Sequence, residues 1–211
     1  MRIITAAILI AVVGLTACVS STVREGQRLF AGCSKAVDDK ATLKAGVFVC
    51  RGAKEPNPFG GNGRACGTCH VPGDNFGLSI KRIAALPADD PLFFPLDEDP
   101  KLLRAHGLVR VIVPGSLDEF RATPKLVHLR RSCDTDGNCD SLGLLGDRVI
   151  GRYRGSLNAF AVQAIANHLS KTTARVPGKD FRVPTARELR ALTEYQLSRL
   201  VSEQDERNRG K

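Results

Sequence analysis

Apolar positions recur at helical spacing in four segments of this chain. The pattern predicts helices over residues 22–33, 99–107, 156–171 and 184–201. Ser156 is placed to cap the third helix, and Thr185 with Glu188 forms a capping box at the start of the fourth. Two short apolar runs, at 108–113 and 125–129, predict strands. The pattern therefore favours a mostly α-helical fold.

The first 17 residues have the pattern of an export signal. Arg2 precedes an apolar run that is too short for a membrane span and has the length of a signal-peptide core. The run ends in Leu-Thr-Ala-Cys18, which resembles the site where bacterial lipoproteins are cleaved and acylated. We predict a lipoprotein signal peptide over 1–17 and a lipid anchor on Cys18; an ordinary secretory signal with an incidental cysteine is the alternative. Because Val19 follows, the sorting rule known for enteric bacteria indicates the outer membrane, with the domain in the periplasm.

Residues 66–70 read Cys-Gly-Thr-Cys-His, the attachment signature of a c-type haem. The spacing suits the chemistry, because the thiols of Cys66 and Cys69 add to two vinyl groups on one edge of the porphyrin and His70 becomes the proximal iron ligand. A zinc site would need two more ligands at structural spacing, and a thioredoxin-like C-x-x-C would open a helix after a strand. Here a glycine-rich loop precedes the pair and an export signal is present. The sequence therefore predicts one covalently bound haem c.

Four of the seven cysteines belong neither to the lipid anchor nor to the haem motif. They are Cys33, Cys50, Cys133 and Cys139. An export compartment favours disulfides, and four cysteines allow three connectivities. The local pairs Cys33–Cys50 and Cys133–Cys139 are the simplest, and they would close an inserted loop over 34–49 and a turn-rich loop. A metal site is the alternative, although no histidine lies at ligand spacing near these cysteines.

Three stretches resemble the di-haem cytochrome c peroxidase and MauG superfamily, namely FGGNGRACGTCH, LPADDPLF and ARVPGKDFRVPTARELRALTEYQLS. The resemblance covers most of residues 24–200. It implies a cytochrome c-like helical domain whose first and last helices cross and whose long loops wrap one covalently bound haem. Family peroxidases carry two C-x-x-C-H motifs, whereas this chain has one, so their two-haem chemistry is not available within one chain. The loop RRSCDTDGNCDS also resembles an insertion relative to the family.

The ligand on the other face of the iron decides between a carrier and an enzyme. Most single-haem carriers of this type use methionine, but Met1 is the only methionine and lies in the signal peptide. The remaining candidates are three histidines, a lysine or no ligand. His106 is placed at a predicted helix end, where an imidazole commonly meets the helix dipole and solvent. His128 ends the stretch Pro-Lys-Leu-Val-His, where the family commonly shows P-x-L-x-N. An asparagine-like hydrogen-bonding role therefore competes with ligation at His128.

His168 has the most favourable geometry of the candidates. In a helix that begins at Ser156, each residue turns by about 100°, and five apolar residues fall on one arc. They are Leu157, Phe160, Ala161, Ala164 and Ile165. His168 falls near the middle of this arc, and a histidine on an apolar face needs a partner. That partner is a backbone carbonyl or the haem iron, and A-I-x-x-H in this helix resembles the family pattern.

Three arginines are candidates for holding the haem propionates. Arg64 precedes the haem motif, and Arg175 and Arg182 flank Val-Pro-Gly-Lys-Asp-Phe. A planar guanidinium pairs well with a carboxylate. Solvated surface charge is the alternative for each of them.

We interpret the sequence as a mono-haem c-type cytochrome that carries electrons in the cell envelope. It has a lipid-anchored tether over 18–24, a haem domain over 25–201 and a charged tail over 202–211. The formal net charge of +9 predicts a redox partner with an acidic surface; anionic lipid headgroups and solvated charge are the alternatives, and we expect no nucleic-acid partner. The second hypothesis is a peroxidase-like enzyme with an open iron site, alone or with a partner that supplies a second haem. The third is a structural or assembly lipoprotein that merely retains a haem.

Overall fold

The computed structural model describes most of the chain between Val19 and Ser198. The described residues are 19–52, 57–96, 100–111, 119–127, 129, 133, 137–140 and 154–198. The predicted signal peptide, the anchor Cys18, the candidate ligand His128 and the charged tail lie outside them, so the predictions for those positions stay predictions.

Apolar periodicity predicted four of the helices. The described helices are α1 Ser21–Ala31, α2 Asp39–Ala45, α3 Cys66–Cys69, α4 Ile80–Ala85, α5 Pro100–His106, α6 Leu157–His168 and α7 Ala186–Gln196. Helices α1, α5, α6 and α7 confirm the predictions, and each ends earlier than predicted. The predicted caps are present, since Ser156 accepts from Asn158 N at 3.2 Å and Thr185 forms its capping box with Glu188. None of the described helices is long and apolar enough to cross a membrane.

Helix α2 lies where the sequence predicted an inserted loop, so that prediction was wrong. Asp38 caps the helix by accepting a hydrogen bond from Ala41 N at 3.0 Å. Gly46 ends it in the left-handed conformation, with φ of 67°. A helix of seven residues shows about two turns of periodicity, which is too little for the apolar pattern to reveal.

Short strands form three antiparallel pairs in the described residues. They are β1 Ala36–Val37 with β2 Cys50–Arg51, β3 Leu108–Val111 with β4 Glu119–Ala122, and β5 Asn138–Asp140 with β6 Arg154–Ser156. Strand β3 confirms the first predicted strand. The second, over 125–129, was wrong for its described residues: Leu126 and Leu129 are both buried, and a spacing of three suits a turn rather than a strand. The result is a mixed helical fold with small sheets.

A disulfide joins Cys33 to Cys50, which confirms the first predicted pair. It lies beside the β1–β2 pair, in which Val37 is opposite Cys50, and closes the segment that contains α2. Cys133 is disulfide-bonded as well, and the side chain of Cys139, its predicted partner, is outside the described part of the chain.

The first and last described helices, α1 and α7, pack against each other in close contact. Gly26 lies at this contact, where a β-carbon would come within 1.9 Å of Ala191 O and 2.7 Å of Tyr195 Cβ. The rings of Tyr195 and Phe30 pack edge to face, with their centroids 5.3 Å apart. Both side chains are buried, and burial raises the pKa of Tyr195 far above its usual value. A glycine at position 26 therefore lets the two backbones meet.

The haem motif lies between two apolar cores. The main core gathers buried side chains of α1, α6 and α7, and Cys66 packs against it. The second core is smaller, and Cys69 packs against it. Its buried members are Ile83, Leu92, Phe93 and Leu103. The fold thus places the two cysteines of the motif against separate layers of apolar side chains.

Candidate functional site

Helix α3 is a single turn that contains both cysteines of the haem motif. Its start is fixed by Thr68, whose Oγ1 accepts from Ala65 N at 2.9 Å. Its end is fixed by His70, whose backbone N donates to Cys66 O at 2.9 Å. Side chains three apart on a helix lie on the same face, so Cys66 and Cys69 meet the same pocket.

Gly67, between the two cysteines, is covered by the ring of Phe48. A β-carbon at Gly67 would come within 2.5 Å of Phe48 Cδ2. Phe48 belongs to the segment closed by the Cys33–Cys50 disulfide, and its ring also contacts Phe30. The disulfide-closed segment therefore packs directly on the haem motif.

One pocket brings together four residues that the sequence singled out, Cys66, Cys69, His70 and His168. The space in this pocket that protein atoms leave empty is about 570 Å³, a volume that includes the open mouth of the pocket. The rest of the lining is almost entirely apolar. It comprises Phe30, Ala65, Leu126, Phe160, Ala161, Ala164, Leu169, Leu192 and Gln196. An apolar wall with a few placed polar groups is typical of a cofactor site.

A carbonyl orients the imidazole of His70. Its Nδ1 lies 2.8 Å from Phe76 O, and because a carbonyl only accepts, Nδ1 carries the proton and Nε2 keeps its lone pair. Asn75 and Phe76 have φ of 57° and 54°, an uncommon conformation without glycine, and this strained turn presents the carbonyl to His70. Burial and, to a smaller extent, the neighbouring His168 lower the pKa of His70 to about 4. His70 is therefore neutral at pH 7, as a metal ligand must be.

The Cys66 thiol differs from the thiols of a redox-active C-x-x-C pair. Neither Cys66 nor Cys69 is in a disulfide. Cys66 is half-buried at the pocket wall, and desolvation raises the pKa of its thiol to about 12. Catalytic dithiols instead have lowered pKa values, because the thiolate is the reacting form. The thioredoxin-like alternative is therefore disfavoured.

No cluster of three or more His, Cys, Asp or Glu side chains suited to a bare metal ion occurs among the described residues.

His168 is the last residue of α6 and faces the pocket. The apolar face predicted for this helix divides between two environments. Leu157 and Ile165 are buried in the main core, whereas Phe160 and Ala164 line the pocket beside His168. The pocket therefore has an imidazole on α6 as well as the one in the haem motif. Ligation of iron by His168 stays a prediction.

Of the other two histidine candidates, the structure describes His106 but not His128. His106 is exposed at the end of α5 and is not among the described residues that line the pocket. His128 is outside the described part of the chain. Its neighbour Leu126 lines the pocket, and Leu126 N donates to Phe76 O at 3.3 Å. The segment that carries His128 thus begins at the pocket.

Arg64 is buried, with 3% of its surface exposed, and its guanidinium meets backbone carbonyls. Its Nη2 donates to Leu92 O at 2.7 Å and to Phe94 O at 2.8 Å, and its Nε donates to Pro91 O at 3.0 Å. These bonds fasten the segment before the haem motif to residues 91–94. The structure therefore shows a clamping role for Arg64, and propionate binding stays a prediction.

Arg175 and Arg182 are not among the described residues that line the pocket. Arg182 forms a bidentate ion pair with Glu188, at 2.7 and 2.9 Å, and donates from Nε to Pro58 O. The hydrogen bond from Arg182 is the main reason that the pKa of Glu188 falls to about 2. Arg175 donates to Thr173 O at 2.8 Å. The propionate role of both residues stays a prediction.

Several pocket residues were missed by sequence reasoning. Phe30 and Leu192 look like ordinary core residues, and their ring and methyl groups face the pocket only because α1 and α7 pack together beside it. Gln196 is 7% exposed, and its Nε2 donates to Leu192 O at 3.1 Å. The spacing of four between Leu192 and Gln196 is the one signal that places them on a common helix face.

Comparison with known proteins adds no identification. No protein-family model matches this chain, and neither the curated proteins nor the solved structures include a significant match. The family resemblance of the three sequence stretches therefore stays a prediction.

Proposed function

We propose that this protein is a mono-haem c-type cytochrome that carries electrons in the cell envelope. The observation that supports this best is the pocket in which two thiols of an attachment motif and two imidazoles meet apolar side chains. A covalently attached haem would account for all four groups, because the two thiols would bind its edge and the two imidazoles would bind its iron. The close packing of the first and last described helices, α1 and α7, beside the pocket supports a cytochrome c-like fold.

The described residues fit a haem in three respects. The lining is apolar, His70 is neutral with Nε2 available, and Cys66 and Cys69 are not in disulfides. When bound, the haem supplies an iron that cycles between the ferric and ferrous states. Cys66 and Cys69 would hold the haem by its edge, His70 and His168 would bind its iron, and side chains such as Phe30 would exclude water. With both imidazoles bound, no iron position would remain for peroxide, which would favour electron transfer over peroxide chemistry.

Covalent attachment gives the direct test of this proposal. We expect the protein, exported from a host that can attach haem, to keep its haem after acid–acetone extraction and in a denaturing gel. The double change Cys66→Ala, Cys69→Ala should release all of the colour, because no thioether can form. The matched control Cys33→Ala, Cys50→Ala removes the disulfide beside the motif and should leave the haem attached. Complete extraction of haem from the wild type would overturn the proposal.

For location, we propose that acylated Cys18 anchors the protein in the outer membrane. Helix α1 begins at Ser21, within the predicted tether over 18–24, so only Val19 and Ser20 would separate this helix from the anchor. We expect Cys18→Ala to give a soluble or uncleaved form in place of a membrane-bound one. Mass spectrometry of the wild type should find an acylated mature N-terminus at Cys18. A free, unlipidated N-terminus would contradict the anchor.

A further inference from the structure

The loop before the haem motif is bonded to the end of the helix that carries His168. Asn62 Nδ2 donates to His168 O and to Ser170 O, both at 3.0 Å. Asn62 N donates to Leu169 O at 2.9 Å. One residue thus binds three successive carbonyls, which begin at the candidate distal ligand itself.

Asn62 is also bonded to the segment that leads into the haem motif. Asn62 Oδ1 accepts from Arg64 N at 3.0 Å, two positions before Cys66. The approach is close, because a β-carbon at Gly61 would lie 1.9 Å from Leu169 O. Arg64 Nη1 adds a longer contact of 3.5 Å to His168 O. These contacts join the segment just before the attachment motif to the end of α6.

The position of His168 in its helix gives these bonds their importance. The last carbonyls of a helix lack partners within the helix, and the last turn frays readily. His168 is the terminal residue of α6, so fraying of that turn would displace its imidazole first. Capping alone would account for bonds to these carbonyls. Asn62 also accepts from Arg64 N, two residues before Cys66, so it links the end of α6 to the segment that leads into the haem motif.

We propose that Asn62 is a positioning residue that holds His168 at the iron and thereby excludes external ligands from the distal face. This inference rests on the proposed function, because it concerns the ligand opposite His70. Asn62 does not line the pocket. Under this proposal it nevertheless determines whether the haem is closed to external ligands, as in a carrier, or open to them, as in a peroxidase. With the Asn62 bonds lost, the end of α6 would move more freely, and His168 would leave the iron for part of the time.

The test compares two asparagines of the same loop. Asn62→Asp keeps the acceptor for Arg64 N and replaces the two donors with an oxygen that faces carbonyls. The matched control is Asn57→Asp, because Asn57 also bonds within the loop, to Arg64 O and Phe59 N, and makes no described bond to α6. For both holoproteins we would measure the ferric spin state, the rate of cyanide binding and the thermal midpoint.

We expect Asn62→Asp to raise the high-spin fraction and to speed cyanide binding about tenfold or more, as the loss of one or two hydrogen bonds implies. Asn57→Asp should lower the thermal midpoint and leave both haem readouts at the wild-type value. Equal cyanide rates and spin states in the two variants would overturn the inference. If Asn62→Asp gives no folded holoprotein, Asn62→Ser, which retains one donor, is measured in its place. A wild type without covalent haem, or with high-spin iron, would instead refute the proposed function.

Discussion

We expect the ferric haem of the His168→Ala variant to change from six-coordinate low-spin to high-spin. His168 and His70 line one pocket, and His168 lies near enough to His70 to lower its pKa. Alanine at this position leaves an opening that water or cyanide can fill, and the weaker field of water gives high-spin iron. Visible and electron paramagnetic resonance spectra of the purified holoprotein would report the change.

Two other histidine variants serve as controls for this experiment. His106→Ala should leave the spectrum unchanged, because His106 is exposed at the end of α5. His128→Ala should also leave it unchanged if His128 has only a hydrogen-bonding role. A spin-state change with His128→Ala and none with His168→Ala would move the ligand to His128. A wild type that is already high-spin would favour the peroxidase-like hypothesis, and peroxide turnover with an artificial electron donor would then be the assay.

Replacing Gly26 by alanine should lower the free energy of unfolding by about 3 kcal/mol or more. The new methyl group would lie 1.9 Å from Ala191 O, so α1 and α7 would have to separate. Alanine also gains about 1 kcal/mol over glycine in helix propensity, but this is smaller than the cost of moving two packed helices. Urea unfolding of the holoprotein, followed by circular dichroism, would measure the difference.

Gly60→Ala is the matched control for the change at Gly26. Gly60 has a φ of 65°, and a methyl group added there would meet no other atom within 4 Å, so only backbone strain of about 1–2 kcal/mol applies. A Gly26→Ala variant as stable as the wild type would mean that α1 and α7 do not approach closely at this position. The spin state of the folded Gly26→Ala fraction would show whether this contact also shapes the pocket.

The sequence by itself determined the features that depend on short-range interactions. Apolar periodicity and caps located α1, α5, α6 and α7, because helix formation and capping involve residues within about four positions of each other. Cysteine spacing predicted the Cys33–Cys50 disulfide and marked the attachment motif at 66–70. The apolar arc of α6 indicated which way His168 would face. Among the described residues, local periodicity failed where an element was short, as in α2, and in the predicted second strand, where Leu126 and Leu129 are both buried.

The tertiary structure alone decided which distant residues meet. The bonds between Asn62 and the end of α6 join positions 106 and 108 apart in the sequence, and no local pattern encodes such a pair. The use of Arg64 as a clamp on residues 91–94 likewise depends on how the chain returns past the haem motif. In the sequence, Gly26 is only a residue of low helix propensity; its role in the close approach of α1 and α7 is visible only in the tertiary structure. In each case the energy comes from packing or from satisfying a buried polar group, and these depend on the neighbours that folding supplies.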